Sequence, residues 1–216
     1  MTDVKSPRRE RSEATRRKII HAAEAEFLEN GFHGATIASI AKRAGVAPQT
    51  VYFVFHNKGA LISAVIDNAV LGEDAPTVPQ EADWWAAARA EPSAVEALRI
   101  IVRGAGAIFA RASGISEILR AAALTDDEVR RTLDHHENLR YDGFREAIEL
   151  LAAKGALKEG LDARTATDVL MTVYSASTYH LMTTERGWSH NQVIDWLCAA
   201  LPELLLEKKV GIRGRR

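Results

Sequence analysis

The sequence contains one cysteine, Cys198, among 216 residues. A lone thiol closes no intramolecular disulfide and supplies no Cys-based metal site, which agrees with a reducing compartment. Long apolar runs are also missing. No stretch approaches the roughly 18 apolar residues that cross a membrane. The opening MTDVKSPRRERSEATRRK is charged but has no apolar core behind it, so it does not read as a signal peptide. These absences predict a soluble cytoplasmic chain. Strand patterning is missing as well, because no run alternates apolar and polar residues for long. There is no nucleophile elbow or phosphate loop. His135 and His136 stand between Asp134 and Glu137, but neighbours on a helix point to different sides. The sequence therefore predicts no metal, no cofactor and no enzyme. An all-helical enzyme or ligand carrier is the rival class, and turnover of a substrate by purified protein would reveal it.

What is present is apolar residues at helical spacing, 47% of the chain, enough for a packed core. The net charge of −1 is uninformative, but its distribution is uneven. Residues 1–58 carry ten Lys/Arg against six Asp/Glu, and the remainder is acidic. Such asymmetry fits nucleic-acid contact at one end, although chance produces differences of this size too. The pattern predicts an all-α chain with two parts. Residues 1–58 form a basic arm and a helix-turn-helix, and 59–216 form a second helical domain.

Helices are expected over 15–30, 37–44, a short segment from Pro48, and 58–71. Others follow over 94–112, 115–123, 126–154, 163–186 and 190–207. Thr15, Thr36, Asn57 and Asp162 read as N-caps. Ser93 with Glu96, Thr125 with Glu128, and Ser189 with Gln192 read as capping boxes. The stretch 72–83, with a glycine, two prolines and acids, reads as a loop or boundary. Pro202 inside the last helix lacks the N–H that would bond the Cys198 carbonyl, which predicts a kink.

The short helix in AGVAPQTVYFVFHNKGAL is the informative one. Val51 and Phe55 share one face, while Gln49, Tyr52, Phe53 and His56 share another. Helices 37–44 and 48–55 are joined by Ala44-Gly45-Val46, the layout of a helix-turn-helix whose second helix enters the major groove. Gln49 suits adenine N6 and N7, and Phe53 suits a thymine methyl. Thr50 suits a base edge or a phosphate. Tyr52, His56 and Lys58 suit phosphates, as does Arg43 at the end of the preceding helix. Thr36 and Pro48 complete the candidate DNA-facing set. Arg8, Arg9 and Arg11 read either as a minor-groove arm or as a solvated tail. A short helix with Tyr and Phe also fits an ordinary helical core.

Residues 15–61 resemble the DNA-binding region of the TetR (tetracycline repressor-like) family of bacterial transcription regulators. The resemblance rests on Phe27, Gly31-Phe32, Thr36, Ile40-Ala41, Ala44-Gly45-Val46, Tyr52, Phe55 and Asn57-Lys58. Two features depart from it. Ala47 stands where relatives often carry Ser or Thr, and Phe53-Val54 replaces a Tyr-His or His-His pair. The resemblance implies a homodimeric repressor on a pseudo-palindromic double-stranded DNA operator, released by a small-molecule effector. An activator or a ligand-independent regulator would carry the same DNA-reading region.

The resemblance also implies dimerisation through the last two long helices. Leu170, Val173 and Ser177 form one candidate stripe, and Val193, Leu197, Leu201 and Leu204 another; an intramolecular core is the other reading. For the effector, Phe144 lies on an apolar face of 126–154 that also carries His136 and Arg140. Two readings stand for that pair: an anion-binding wall of a pocket, or a buried pairing with an acid. Phe109 and Tyr174 are further candidates, with Trp84, Trp85, Tyr141 and His180. Each of these also fits plain core.

Overall fold

The computed structural model describes residues 7–72, 78–154 and 157–207. The basic start before Pro7, the Arg8 side chain, part of the 72–83 loop and the basic end after Glu207 lie outside the described residues. Ten α-helices form the described chain: α1 Pro7–Gly34, α2 Ile37–Ala44, α3 Pro48–Phe55, α4 Lys58–Leu71, α5 Asp83–Ala90, α6 Ala94–Ala122, α7 Asp127–Ala153, α8 Ala163–Val173, α9 Ala176–His180 and α10 His190–Leu205. A π-turn, Leu181–Glu185, follows α9, and one isolated antiparallel bridge joins Leu157 to Leu206. Among the described residues no helix is long and apolar enough to cross a membrane.

The chain divides into two compact units. The first comprises residues 1–76 and 112–135, the second 77–111 and 136–216. Both α6 and α7 run through the division.

The first unit is built around α1. Its Ile19, Ile20, Ala23 and Phe27 are buried with Ile40 and Ala41 of α2, Val51 and Phe55 of α3, and Leu61, Ile62 and Val65 of α4. Gly31 (φ 68°, ψ 171°) breaks α1 and folds Phe32 back, so that its ring stacks 5.8 Å from Phe27. The helix begins at Pro7 rather than at Thr15. Thr15 is no cap: its hydroxyl donates to the Arg11 carbonyl one turn back. The extra two turns carry almost no apolar periodicity, and only a proline suited to a first helical position marks them.

Local caps otherwise follow the sequence. Thr36 and Ser39 form a reciprocal capping box on α2, Asn57 caps α4, Asp162 caps α8, and Ser189 with Gln192 caps α10. Two expected boxes are altered. The Asp126 carboxylate, not Thr125, accepts the N–H groups of Glu128 and Val129. Ser93 accepts from the Glu96 N–H, but the Glu96 carboxylate turns to Arg99 at 2.6 Å.

Helix α6 is continuous where a break at 113–114 was expected. Gly114 serves close approach rather than a turn: a Cβ there would sit 3.0 Å from a Leu28 methyl in the first unit's own packing. The expected helix 163–186 is interrupted at Tyr174 (φ −105°, ψ 71°), and Ser175 then caps α9. Tertiary bonding enforces the break. Tyr174 is 1% exposed and its hydroxyl donates to the Val102 carbonyl of α6 at 2.6 Å. Burial holds that phenol well above its ordinary pKa, so it stays a neutral donor. Helix α10 passes through Pro202, and the carbonyl that Pro202 leaves unbonded finds another donor. The Arg99 Nε donates to the Cys198 carbonyl at 3.2 Å.

Candidate nucleic-acid interface

Helices α2 and α3 are joined through Gly45, whose left-handed conformation (φ 68°, ψ 35°) lets the chain turn within three residues. Gly45 and Val46 N–H groups close onto the last carbonyls of α2. Pro48 opens α3, and Ala47 offers no side-chain cap. The departure at position 47 therefore leaves that N-terminus to its surroundings.

Val51 and Phe55 pin α3 to the core, at 1% and 3% exposure. The opposite face is open. Phe53 is 84% and Tyr52 53% exposed, and Pro48, Gln49 and His56 are exposed with them. Two adjacent exposed aromatic rings are the informative feature of that face. Thr50 is half-buried and Thr36 exposed. The sequence also carries a signal that side-chain spacing alone does not reveal: no Asp or Glu stands between Glu29 and Asp67. The whole helix-turn-helix is thus free of carboxylates that would repel phosphates.

Arg16 of α1 lies over the Phe55 ring at 4.5 Å, which puts a cation beside the end of α3. Arg9 is helical and paired with Glu13 at 3.3 Å, so it belongs to α1 and not to an extended arm. At the other end of the surface, His56 adopts φ 63° and ψ −48°, while the Asn57 N–H donates to the Phe55 carbonyl at 2.7 Å. This is a γ-turn of positive φ, a rare and strained conformation for a non-glycine residue.

Two expected phosphate contacts are otherwise engaged. The Lys58 ammonium turns inward, donating to the Phe32 carbonyl at 2.8 Å and the Ala35 carbonyl at 3.1 Å, over the Phe32 ring at 4.4 Å. Burial pushes it below its ordinary pKa, opposed by the charge of Asp126. Lys58 thus ties the loop before α2 to the start of α4. Lys58→Ala is expected to cost about 1.5–3 kcal/mol, the scale of hydrogen bonds to a charged group. A thermal melt followed by circular dichroism checks this; an unchanged midpoint would contradict the inward role.

Arg43 donates to Glu26 at 2.7 Å through Nε and holds Glu29 through both terminal nitrogens. The guanidinium keeps the Glu29 carboxyl below its ordinary pKa, chiefly by hydrogen bonding. The pair is therefore intact at neutral pH, and its contribution is lost only as pH falls through that lowered value. Arg43 knits α1 to α2.

The expected effector residues divide. Phe109, Phe144 and Tyr174 are buried and gathered in one cluster, with Tyr174 4.5 Å from Phe109 and 5.9 Å from Phe144. Tyr179, absent from the sequence-based set, joins them 6.5 Å from Phe109, and its hydroxyl meets His190 Nδ1 at 2.8 Å. His136 and Arg140 are half-buried on α7, and Arg140 pairs with Glu137 at 2.5 Å. The expected dimer stripes divide as well. Leu170, Val193, Leu197 and Leu201 are buried inside the single chain, because α8 and α10 turn these residues into their own core. Val173 and Ser177 are half-buried on either side of the Tyr174 break, while Leu204 is exposed. Among the described residues no group of three or more His, Cys, Asp or Glu is placed to hold a metal.

The geometry is that of a helix-turn-helix protein, with a core-anchored second helix presenting polar and aromatic groups outward. Comparison with known proteins makes the class narrower. Residues 19–65, which hold α2 and α3, match the family described as bacterial regulatory proteins, tetR family. The regulator UidR of Escherichia coli K12 is 44% identical over 55 residues, 26% of this chain and 28% of its own length. The chain thus matches little more than a quarter of the first curated relatives. The repressor BepR of Brucella suis biovar 1 is 28% identical over 190 residues, covering 84% of this chain and 88% of BepR. Solved structures share the fold. NalD, the secondary repressor of the MexAB-OprM multidrug efflux pump in Pseudomonas aeruginosa, aligns with a TM-score of 0.68 at 22% identity, over 92% of this chain and 99% of NalD. FadR of Bacillus subtilis, solved with stearoyl-CoA, aligns with a TM-score of 0.64 at 21% identity, over 87% and 96%.

Proposed function

We propose that this chain is a sequence-specific transcriptional repressor that binds an operator as a homodimer and is released by a small apolar effector. The observation that carries the reading is the open face of α3, with Gln49, Tyr52, Phe53 and His56 presented from a helix anchored by Val51 and Phe55. Gln49 reads adenine, Phe53 packs on a thymine methyl, and Tyr52, His56, Thr50 and Thr36 meet phosphates or base edges. Arg16, rather than Arg43 or Lys58, supplies a cation at the end of that helix, over the Phe55 ring. Residues 1–58 are the functional DNA-reading segment and 59–216 serve dimerisation and effector binding. A second copy meets the outer face of α10, around exposed Leu204, and the half-sites then lie about 34–36 Å apart. NalD, named as a repressor, and FadR, solved with stearoyl-CoA, support a repressor that answers to a small molecule. The Phe109–Phe144–Tyr174–Tyr179 cluster is the apolar ground for it.

The test is titration of the protein against a duplex from upstream of its own gene and a scrambled control at about 0.15 M salt. Specific binding should be tighter by a factor on the order of a thousand or more. Gln49→Ala should remove about 1–3 kcal/mol of that discrimination. Equal affinity of wild type for every upstream duplex and the scramble would overturn the reading.

A further inference from the structure

The start of α7 is bonded to Asn57, the cap of α4 that follows the reading helix, and nothing in the proposed function uses this contact. Asn57 stands directly after the strained His56 turn. Its Oδ1 accepts the Ala60 N–H at 2.6 Å and so caps α4. That fixes the amide orientation, and Nδ2 then donates to both carboxylate oxygens of Glu128, at 3.1 and 3.2 Å. The approach is close at Gly59, two residues on, where any side chain would displace the end of Glu128. A Cβ on Gly59 would lie 2.7 Å from the Glu128 carboxyl carbon and 2.8 Å from one of its oxygens. Two neighbours of Glu128 brace the same turn. Asp126 holds the first N–H groups of α7 and places its charge near Lys58. Thr125 Oγ1 meets His33 Nε2 at 2.9 Å.

A strained backbone turn persists only where its surroundings over-determine it. Asn57 is the residue through which that happens, since it is bonded on one side to α4 and on the other to Glu128. We infer that Glu128 is a positioning residue for DNA reading: through Asn57 it holds the turn that sets His56 and the end of α3. Glu128 has no place at the DNA itself, because a carboxylate repels phosphates. Helix α7 runs on from Glu128 to Ala153, among the residues of the second unit. Through this pair the start of α7 bears on the turn that follows the reading helix. The inference rests on α3 being the reading helix.

The experiment uses the full chain and three variants, each titrated against the operator duplex and the scramble, with a thermal melt of each. Asn57→Asp keeps the α4 cap but sets two carboxylates against each other. Asn57→Asp with Glu128→Gln restores the bond with donor and acceptor exchanged and leaves the net charge as in wild type. Gly59→Ala leaves both partners chemically intact and displaces only the flexible end of Glu128. Asn57→Asp and Gly59→Ala should weaken operator binding roughly 5- to 50-fold, within the usual range of site coupling. Their melts should stay near wild type, and so should the slope of affinity against salt for Gly59→Ala, which removes no phosphate contact and adds no charge. The double variant should recover most of the loss, a non-additivity that only direct coupling produces. Failure of recovery, or unchanged affinity in Gly59→Ala, would overturn the inference. Wild-type binding to the operator separates this failure from a failure of the proposed function.

Discussion

Phe27→Ala should lower the stability of the protein by about 3–5 kcal/mol, the usual cost of truncating a buried aromatic side chain. That is a large part of the roughly 5–15 kcal/mol that keeps a typical domain folded. The ring is fully buried among the inward faces of α1, α2, α3 and α4, and it stacks on Phe32. Removing it leaves a void that four helices share, and none can close it without pulling another from its place. The loss should appear as a lower denaturation midpoint with an unchanged slope. Operator binding should fail at lower temperature in parallel, since Val51 and Phe55 hold α3 to the same core. A loss under about 1 kcal/mol would mean that Phe27 does not organise this core.

Tyr174 gives the second large effect, and two substitutions separate its roles. Tyr174→Ala should cost about 3–5 kcal/mol, because the residue is buried against Phe109 and Phe144. Tyr174→Phe keeps the ring and loses only the bond to the Val102 carbonyl, for about 0.5–1.5 kcal/mol. A residue that merely lined an effector cavity would behave in the opposite way, with little change in melting when truncated. Thermal melts of the two variants decide between a core role and a lining role.

Where local chemistry decides, the structure was readable in advance. Thr36, Asn57, Asp162 and Ser189 cap helices because a short polar side chain reaches an unpaired N–H two or three residues on. The open and anchored faces of α3 follow from helical spacing alone. Other features depend on partners that only the fold brings near. Lys58 looks like a phosphate ligand until Phe32 and Ala35 present their carbonyls to it. Arg43 likewise looks free until α1 brings Glu26 and Glu29 alongside. Helix α5 escaped notice because Ala82 supplies no side-chain cap and Trp84-Trp85 gives too short a periodic pattern. The break at Tyr174 is only half local: Ser175 caps the helix that follows, while the bond that holds Tyr174 reaches a carbonyl on α6. Gly114 reads as punctuation but provides room.

The bond from Arg99 to the Cys198 carbonyl makes the order of sequence change matter at two distant positions. A chain that first replaces Pro202 regains the helix's own N–H, and position 99 is then released to vary. A chain that first loses Arg99 must pass through a state with an orphaned carbonyl. Drift between the same two end points is open by one path and obstructed by the other. Position 99 should therefore stay basic for as long as position 202 remains proline.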